Sequence, residues 1–474
     1  MKKAFSLIFG LCCMLSVAQA KVYNVKDFGA KGDGVAIDSP AINAAIEAAS
    51  ANKGTVLFPK GTYLSFSIRL QSNITLKFEK GSVIKAAKEG ELGTYDAPEP
   101  NEEGGNYQDF GHSHWKNSLI WGIGLENIKF IGPGLIDGSG VLQSHYRNPQ
   151  IGVPGAANKA ISMKNCKNVT FKDTQVLMGG HFAFLLTGVD NLVMDGVFSD
   201  TNRDAFDIDC CEHVVIKNCV VNSLNDDGIV LKCSYGLGWA KPTADVLIEN
   251  CIVAGYDPGS YMAKTYTTEI KQAVDRDGPT GRVKLGTESN GGFRDITVRN
   301  VVFKHCRGLA LETVDGAVME NIKVSHLVMD DICNSPIYIR IGDRMRGPKD
   351  LKPSVARNIE ISDVKVTNCD ARYALLIVGQ PGNPIENVTL KDIEIEYKGG
   401  ITKEDVRTQN GANSFFFGRN SGYPEPSAHG IQPAWGLSMQ HARNITFKNV
   451  KMKLLAPDER DMVFTDDVEN FEWK

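Results

Sequence analysis

Acidic residues gather on one short stretch of this chain, Asn202-Arg203-Asp204-Ala205-Phe206-Asp207-Ile208-Asp209 followed by Asn225-Asp226-Asp227-Gly228-Ile229-Val230-Leu231-Lys232. Asp204 and Asp226 stand 22 residues apart, and Asp227 follows directly. If the chain winds with that period, the three carboxylates occupy adjacent rungs of one face. Carboxylates so placed repel one another, and at least one is expected to hold its proton well above the ordinary range. A proton donor beside ionised acceptors is what cleavage of a glycosidic bond requires. An isolated Asp-Asp-Gly is more often a plain turn. The coil-matched Asp204, and Lys232 on the strand that follows, favour a site.

The elements that must carry these residues are short strands. Phrases such as Asn127-Ile-Lys-Phe130, Asn168-Val-Thr-Phe171, Asn191-Leu-Val-Met194, Asp295-Ile-Thr-Val298, Asn321-Ile-Lys-Val324, Asn358-Ile-Glu-Ile361 and Asn387-Val-Thr-Leu390 recur, 22 to 29 residues apart where nothing is inserted. Alternating apolar and polar residues mark half-buried strands, and a steady period marks units that bury their faces against their neighbours. Helical periodicity is nearly absent after residue 50. The pattern predicts an all-β chain, a right-handed single-stranded parallel β-helix with inward Val and Ile columns and turn residues stacked coil on coil. One amphipathic stretch, Pro40 to Ser50, is expected to cap the first coil as a short N-terminal helix, with Ser39 as N-cap and Pro40 as its first residue. Gly29-Ala-Lys-Gly-Asp-Gly34 has neither phosphate-loop spacing and reads as the turn into that helix.

Residues 1–20 read as an export signal: basic Lys2 and Lys3, an apolar run from Ala4 to Val17, and a small-x-small site ending at Ala20. The expectation is an exported protein, cleaved near Ala20, with residues 21–474 forming one β-helical domain. Of 474 residues, 42% are hydrophobic and 23% charged, with net charge −4. That balance argues against a nucleic-acid binder, and no segment is long and apolar enough to predict membrane insertion. Nine cysteines follow the leader (166, 210, 211, 219, 233, 251, 306, 333 and 369), an odd number that leaves at least one thiol free. None has metal-site spacing, so neither a metal nor another cofactor is expected. The cysteines read as small buried hydrophobes.

With these residues in view, the chain resembles glycoside hydrolase family 28, the polygalacturonase and rhamnogalacturonan hydrolase family. The likeness rests on Val25-Lys-Asp-Phe-Gly-Ala-Lys-Gly-Asp-Gly34, on Gly134-Leu-Ile-Asp-Gly138, and on the family's Asn-Thr-Asp then Asp-Asp pattern, which maps onto Asn202-Arg203-Asp204 and Asp226-Asp227. The resemblance implies that Asp226 is the general acid and that Asp204 and Asp227 hold the attacking water. It also implies an inverting reaction, for which the carboxylates stand roughly 6.5–9.5 Å apart. Two departures stand out. The family's Gly-His-Gly falls at Gly281-Arg282-Val283, without histidine. Its Arg-Ile-Lys falls at Ala310-Leu311-Glu312, where an acid replaces the lysine that grips a uronate. Rhamnogalacturonan hydrolases are similar in lacking both, which tilts the expected substrate toward rhamnogalacturonan, with Glu312 accepting hydrogen bonds from a neutral sugar.

Further groove candidates are Asn202, Lys232, Lys284, Glu288, Arg340 as a replacement uronate clamp, and Arg344. The insertion 400–440, with Phe415 to Phe417, Tyr423 and Trp435, is a candidate wall that would favour exo attack. The leading expectation is a monomeric, exported hydrolase of pectic poly- or oligosaccharide. The alternatives are a polysaccharide lyase using Ca²⁺ on the same scaffold, or a carbohydrate-binding β-helix without catalysis.

Overall fold

The computed structural model describes residues 21–142, 154–270, 278–410 and 423–474. The proposed leader and Phe415 to Phe417 lie outside the described residues. Strands pair in parallel along the whole described length and form a right-handed β-helix. Early coils carry three short strands, for example Phe182–Thr187, Asp190–Asp195 and Phe198–Thr201. From Thr243–Ala254 onward, the second and third strands of each coil fuse into one long bent strand, such as Val318–Ile332 and Val355–Cys369.

Register explains the inward columns. Ile128, Val169, Leu192, Val214, Val246, Ile296, Ile322, Ile359, Val388 and Ile445 stack directly, rung on rung. All ten are buried, each stabilised by roughly 1.5–3 kcal/mol of side-chain burial. In most coils the residue just before the column position turns through the left-handed region, where Asn and Asp are tolerated better than bulkier side chains. Asn127, Asn168, Asn191, Asp295, Asn321, Asn358, Asn387 and Asn444 all take φ between 54 and 58°. Their amides bond along the column, for example Asn168 Nδ2 to Asn127 Oδ1 at 2.9 Å and Asn387 Nδ2 to Asn358 Oδ1 at 3.1 Å. All nine cysteines are free thiols. Cys166, Cys219 and Cys251 each donate to the carbonyl two residues back, at 3.2–3.3 Å.

The N-terminal helix runs Ser39–Ser50 and buries Ile42, Ala45, Ile46 and Ala49. Its N-cap is Asp38, not Ser39, and no side chain caps it. Asp38 instead accepts from the amides of Lys31 (2.6 Å) and Gly32 (2.9 Å), pinning the glycine-rich turn, while Ser39 Oγ accepts from Phe66 N.

One face of the helix departs from the alternation seen elsewhere. Its strands Phe206–Asp209, Ile229–Cys233, Val283–Ser289, Leu309–Thr313 and Ile337–Ile341 are buried at every position. His112 reaches this face from one side and Tyr423 and Glu425 from the other, through the contacts described next.

Candidate active site

Asp204 lies in the turn entering Phe206–Asp209, and Asp226 and Asp227 in the turn entering Ile229–Cys233. Ala205 N donates to Asp227 O at 3.1 Å and Phe206 N to Gly228 O at 3.0 Å. This register sets Asp204 beside Asp227 and Arg203 beside Asp226. All three acids are buried, at 3, 6 and 3% exposure, and an oxygen from each lies within 4.8 Å of the others.

The charges around the trio are paired. Arg203 donates to Asp226 at 2.6 Å. Lys232 lies 2.8 Å from Asp207, 3.6 Å from Asp204 and 3.5 Å from Glu288. Arg282, at the place where the resembled family carries histidine, donates from Nε to Asp227 at 2.9 Å. Lys284 reaches Glu312 at 3.3 Å and Asp227 at 3.7 Å. Asn202 accepts from Asn225 Nδ2 at 2.7 Å.

Burial, and then the neighbouring Asp226 charge, push the Asp204 carboxyl well above the usual range despite Lys232. Burial alone would discharge Lys232, but Asp204 and Asp207 hold it firmly charged. Glu288 is the opposite case: burial would raise it, yet Lys232, Arg344 and Arg346 draw it well below. Burial lifts Glu312 to about 7, against the pull of Lys284 and Arg282.

Two expectations need correction. Glu312 does not stand as a lone anion at an open groove. It is fully buried, with Lys284 at 3.3 Å and Arg282 at 4.0 Å. The repulsion argument for a neutral sugar there fails, because cations from the preceding coil balance the acid. Arg340, read as an outward clamp, is 2% exposed and lies in register with Glu312, so it offers no open surface to a substrate. Glu288 likewise faces Arg344 (3.2 Å) and Arg346 (3.3 Å). Of the aromatic residues in the insertion, Tyr423 sits at the site, with its hydroxyl 3.2 Å from Lys284 Nζ. Trp435 packs edge-on against Tyr397 instead.

Several participants come from loops without repeat spacing. His112 lies 3.5 Å from Asp207 and 3.7 Å from Asp209. Burial disfavours its charge, but Asp207 prevails and leaves the imidazole near 9. Glu425 accepts from Arg282 through both terminal nitrogens, and Arg307 lies 2.9 Å away. A cavity of about 500 Å³ opens at the end of the ion-pair chain, lined by Tyr107, Gln108, Asp109, His114 and Arg346 among others.

Comparison with known proteins agrees with this architecture. Residues 22–166 match the family described as rhamnogalacturonase A/epimerase, pectate lyase-like, and residues 137–271 match right-handed β-helix regions. A polygalacturonase of Gossypium hirsutum is 24% identical over 413 residues, covering 81% of this chain and 88% of the relative. Among solved structures, the family 28 exopolygalacturonase of Yersinia enterocolitica superposes with a TM-score of 0.68 at 15% identity, over 96% of this chain and 79% of that one. The hyperthermoactive exopolygalacturonase of Thermotoga maritima gives 0.62 at 21% identity, over 80% and 87%.

Proposed function

We propose that this chain is an exported, monomeric glycoside hydrolase of the family 28 type that cleaves galacturonate-containing pectic polysaccharide. In this reading residues 21–474 act as one catalytic domain. The observation that carries it is the buried trio of Asp204, Asp226 and Asp227, with oxygens within 4.8 Å, on adjacent rungs of the covered face. The similarity to polygalacturonases over most of the chain supports the substrate class. Asp226 gives its proton to the leaving glycosidic oxygen. Asp204 and Asp227 orient a water on the opposite side and take its proton, and the anomeric configuration inverts. Lys232 and Arg282 hold these two acids in place. Arg203 aims Asp226 and holds the carboxylate that remains once the proton has moved.

A second assignment, with Asp204 as donor, is favoured by the burial that keeps Asp204 protonated. In that case the trio shares one proton, which rests on Asp204 in the substrate-free site. The two assignments separate on an aryl glycoside, whose leaving group needs no protonation. Asp226→Asn should lose roughly 10²–10⁴-fold on the natural glycosidic bond, yet recover most of its rate on the aryl substrate. Asp204→Asn should stay impaired on both. The reverse pattern assigns the donor to Asp204. Retention of more than about a tenth of the rate by Asp226→Asn on the natural bond removes Asp226 from the role.

A further inference from the structure

Residues 423–430 lay two side chains onto the cations that flank Asp227. Glu425 is 6% exposed and places its carboxylate against both terminal nitrogens of Arg282, with Arg307 at 2.9 Å. Tyr423 sets its hydroxyl 3.2 Å from Lys284, whose ammonium also lies 5.1 Å from the Tyr423 ring centre. The other side of the same Arg282 guanidinium is bonded to Asp227 at 2.9 Å. The Glu425 carboxylate therefore stands one guanidinium away from the acid trio, a distance comparable to one sugar ring.

Bidentate carboxylate recognition by Arg is geometrically specific, and a second Arg makes the place strongly anion-selective. The group that fills the place comes from the chain itself, on a short segment in which Glu425 lies between two buried prolines, Pro424 and Pro426.

We propose that Glu425 is an internal stand-in for a substrate carboxylate: it occupies an anion site built by Arg282 and Arg307, and a uronate carboxylate of the substrate exchanges with it, lifting residues 423–430 from the end of the groove. This rests on the pectic-substrate reading and adds to it a built-in competitor. Free uronate carboxylates pass this gate, while esterified or neutral sugars do not, because they cannot compensate the two guanidinium groups. The charged state of Glu425 agrees with this. Burial would raise its carboxyl, yet Arg282 and Arg307 hold it below the usual range.

An internal competitor lowers apparent affinity by the fraction of time it vacates the site. Calorimetry with galacturonic acid, methyl galacturonate ester and galactose should show the acid binding wild type weakly and Glu425→Gln at least about tenfold more tightly, with the ester and galactose binding neither. Glu425→Gln can be destabilised by the loss of its ion pairs with Arg282 and Arg307, so hydrogen exchange on the wild-type protein provides a second reading. Saturating galacturonic acid should speed exchange of the 423–430 amides, and galactose should not. The proposal is overturned if galacturonic acid fails to bind wild type, binds the variant no more tightly, or binds while the 423–430 amides remain as protected as before. None of these readings needs turnover. A protein that binds galacturonic acid in this way but cleaves no pectic bond would refute the hydrolase reading and leave the anion site standing.

Discussion

Two faces of the same coil use the same inward residues and opposite outward ones. On the ladder face, strand Val355–Cys369 alternates buried and exposed positions. Its outward charges pair in the open, as in Arg299 with Glu249 at 2.6 Å, where the arginine side chain is 48% exposed. Pairs of that kind contribute about 0–1 kcal/mol. On the site face, Leu309–Thr313 is buried throughout, and its outward Glu312 meets Lys284 without water around it. Removing one partner of such a buried pair typically costs about 3–5 kcal/mol. The inward columns hold the fold on both faces. Chemistry becomes possible where two loops cover the outer side and force acids and bases to settle their charges among themselves.

That contrast can be broken in three places. The largest effect should come from Asp226→Asn on the site face: roughly 10²–10⁴-fold loss of kcat in a protein that still folds, since the amide keeps the shape of the carboxyl but cannot give up a proton. Next, Ile296→Ala in the shared inward column should lower stability by about 2–5 kcal/mol in denaturant unfolding while leaving kcat/KM unchanged where the variant stays folded. An equal fall in activity would mean that the columns also tune the site.

The third is Glu312→Gln. The carboxyl sits near 7 in the folded protein against an ordinary value of 4.5, so between those values the folded state binds more protons than the unfolded one. Stability from this group therefore falls as pH rises from about 4.5 to 7, by about 3 kcal/mol in all. Glu312→Gln should flatten the stability curve across that window, and an unchanged slope would place Glu312 in a wetter setting than the structure gives it.

How much of this the sequence discloses follows from the same contrast. The ladder face is legible because its signal is periodic: Asn321 and Asn358 announce their turns, and Ile322 and Ile359 their column. The acid trio is legible for the same reason, since Asp204 stands one coil before the Asp226-Asp227 pair, although the register sets it beside Asp227 and not Asp226. Arg340 misleads because its outward position is periodic while its covering is not. His112 and Glu425 are missed on the same ground, reaching the site from 95 residues before Asp207 and 143 after Arg282 in the chain. The Ser39 cap fails more locally, because the neighbouring Asp38 takes the boundary and spends its carboxylate on the glycine turn.

The central claim is that the covered face cleaves a pectic glycosidic bond by adding water. The direct test is product analysis in isotopically labelled water, with chelator present, on galacturonan and rhamnogalacturonan oligosaccharides. The account predicts saturated products, one solvent oxygen at the new reducing-end carbon, the inverted anomer formed first, and rates indifferent to the chelator. Unsaturated uronide products without solvent oxygen, formed only when Ca²⁺ is restored, would contradict it and make the acid trio a metal site for elimination.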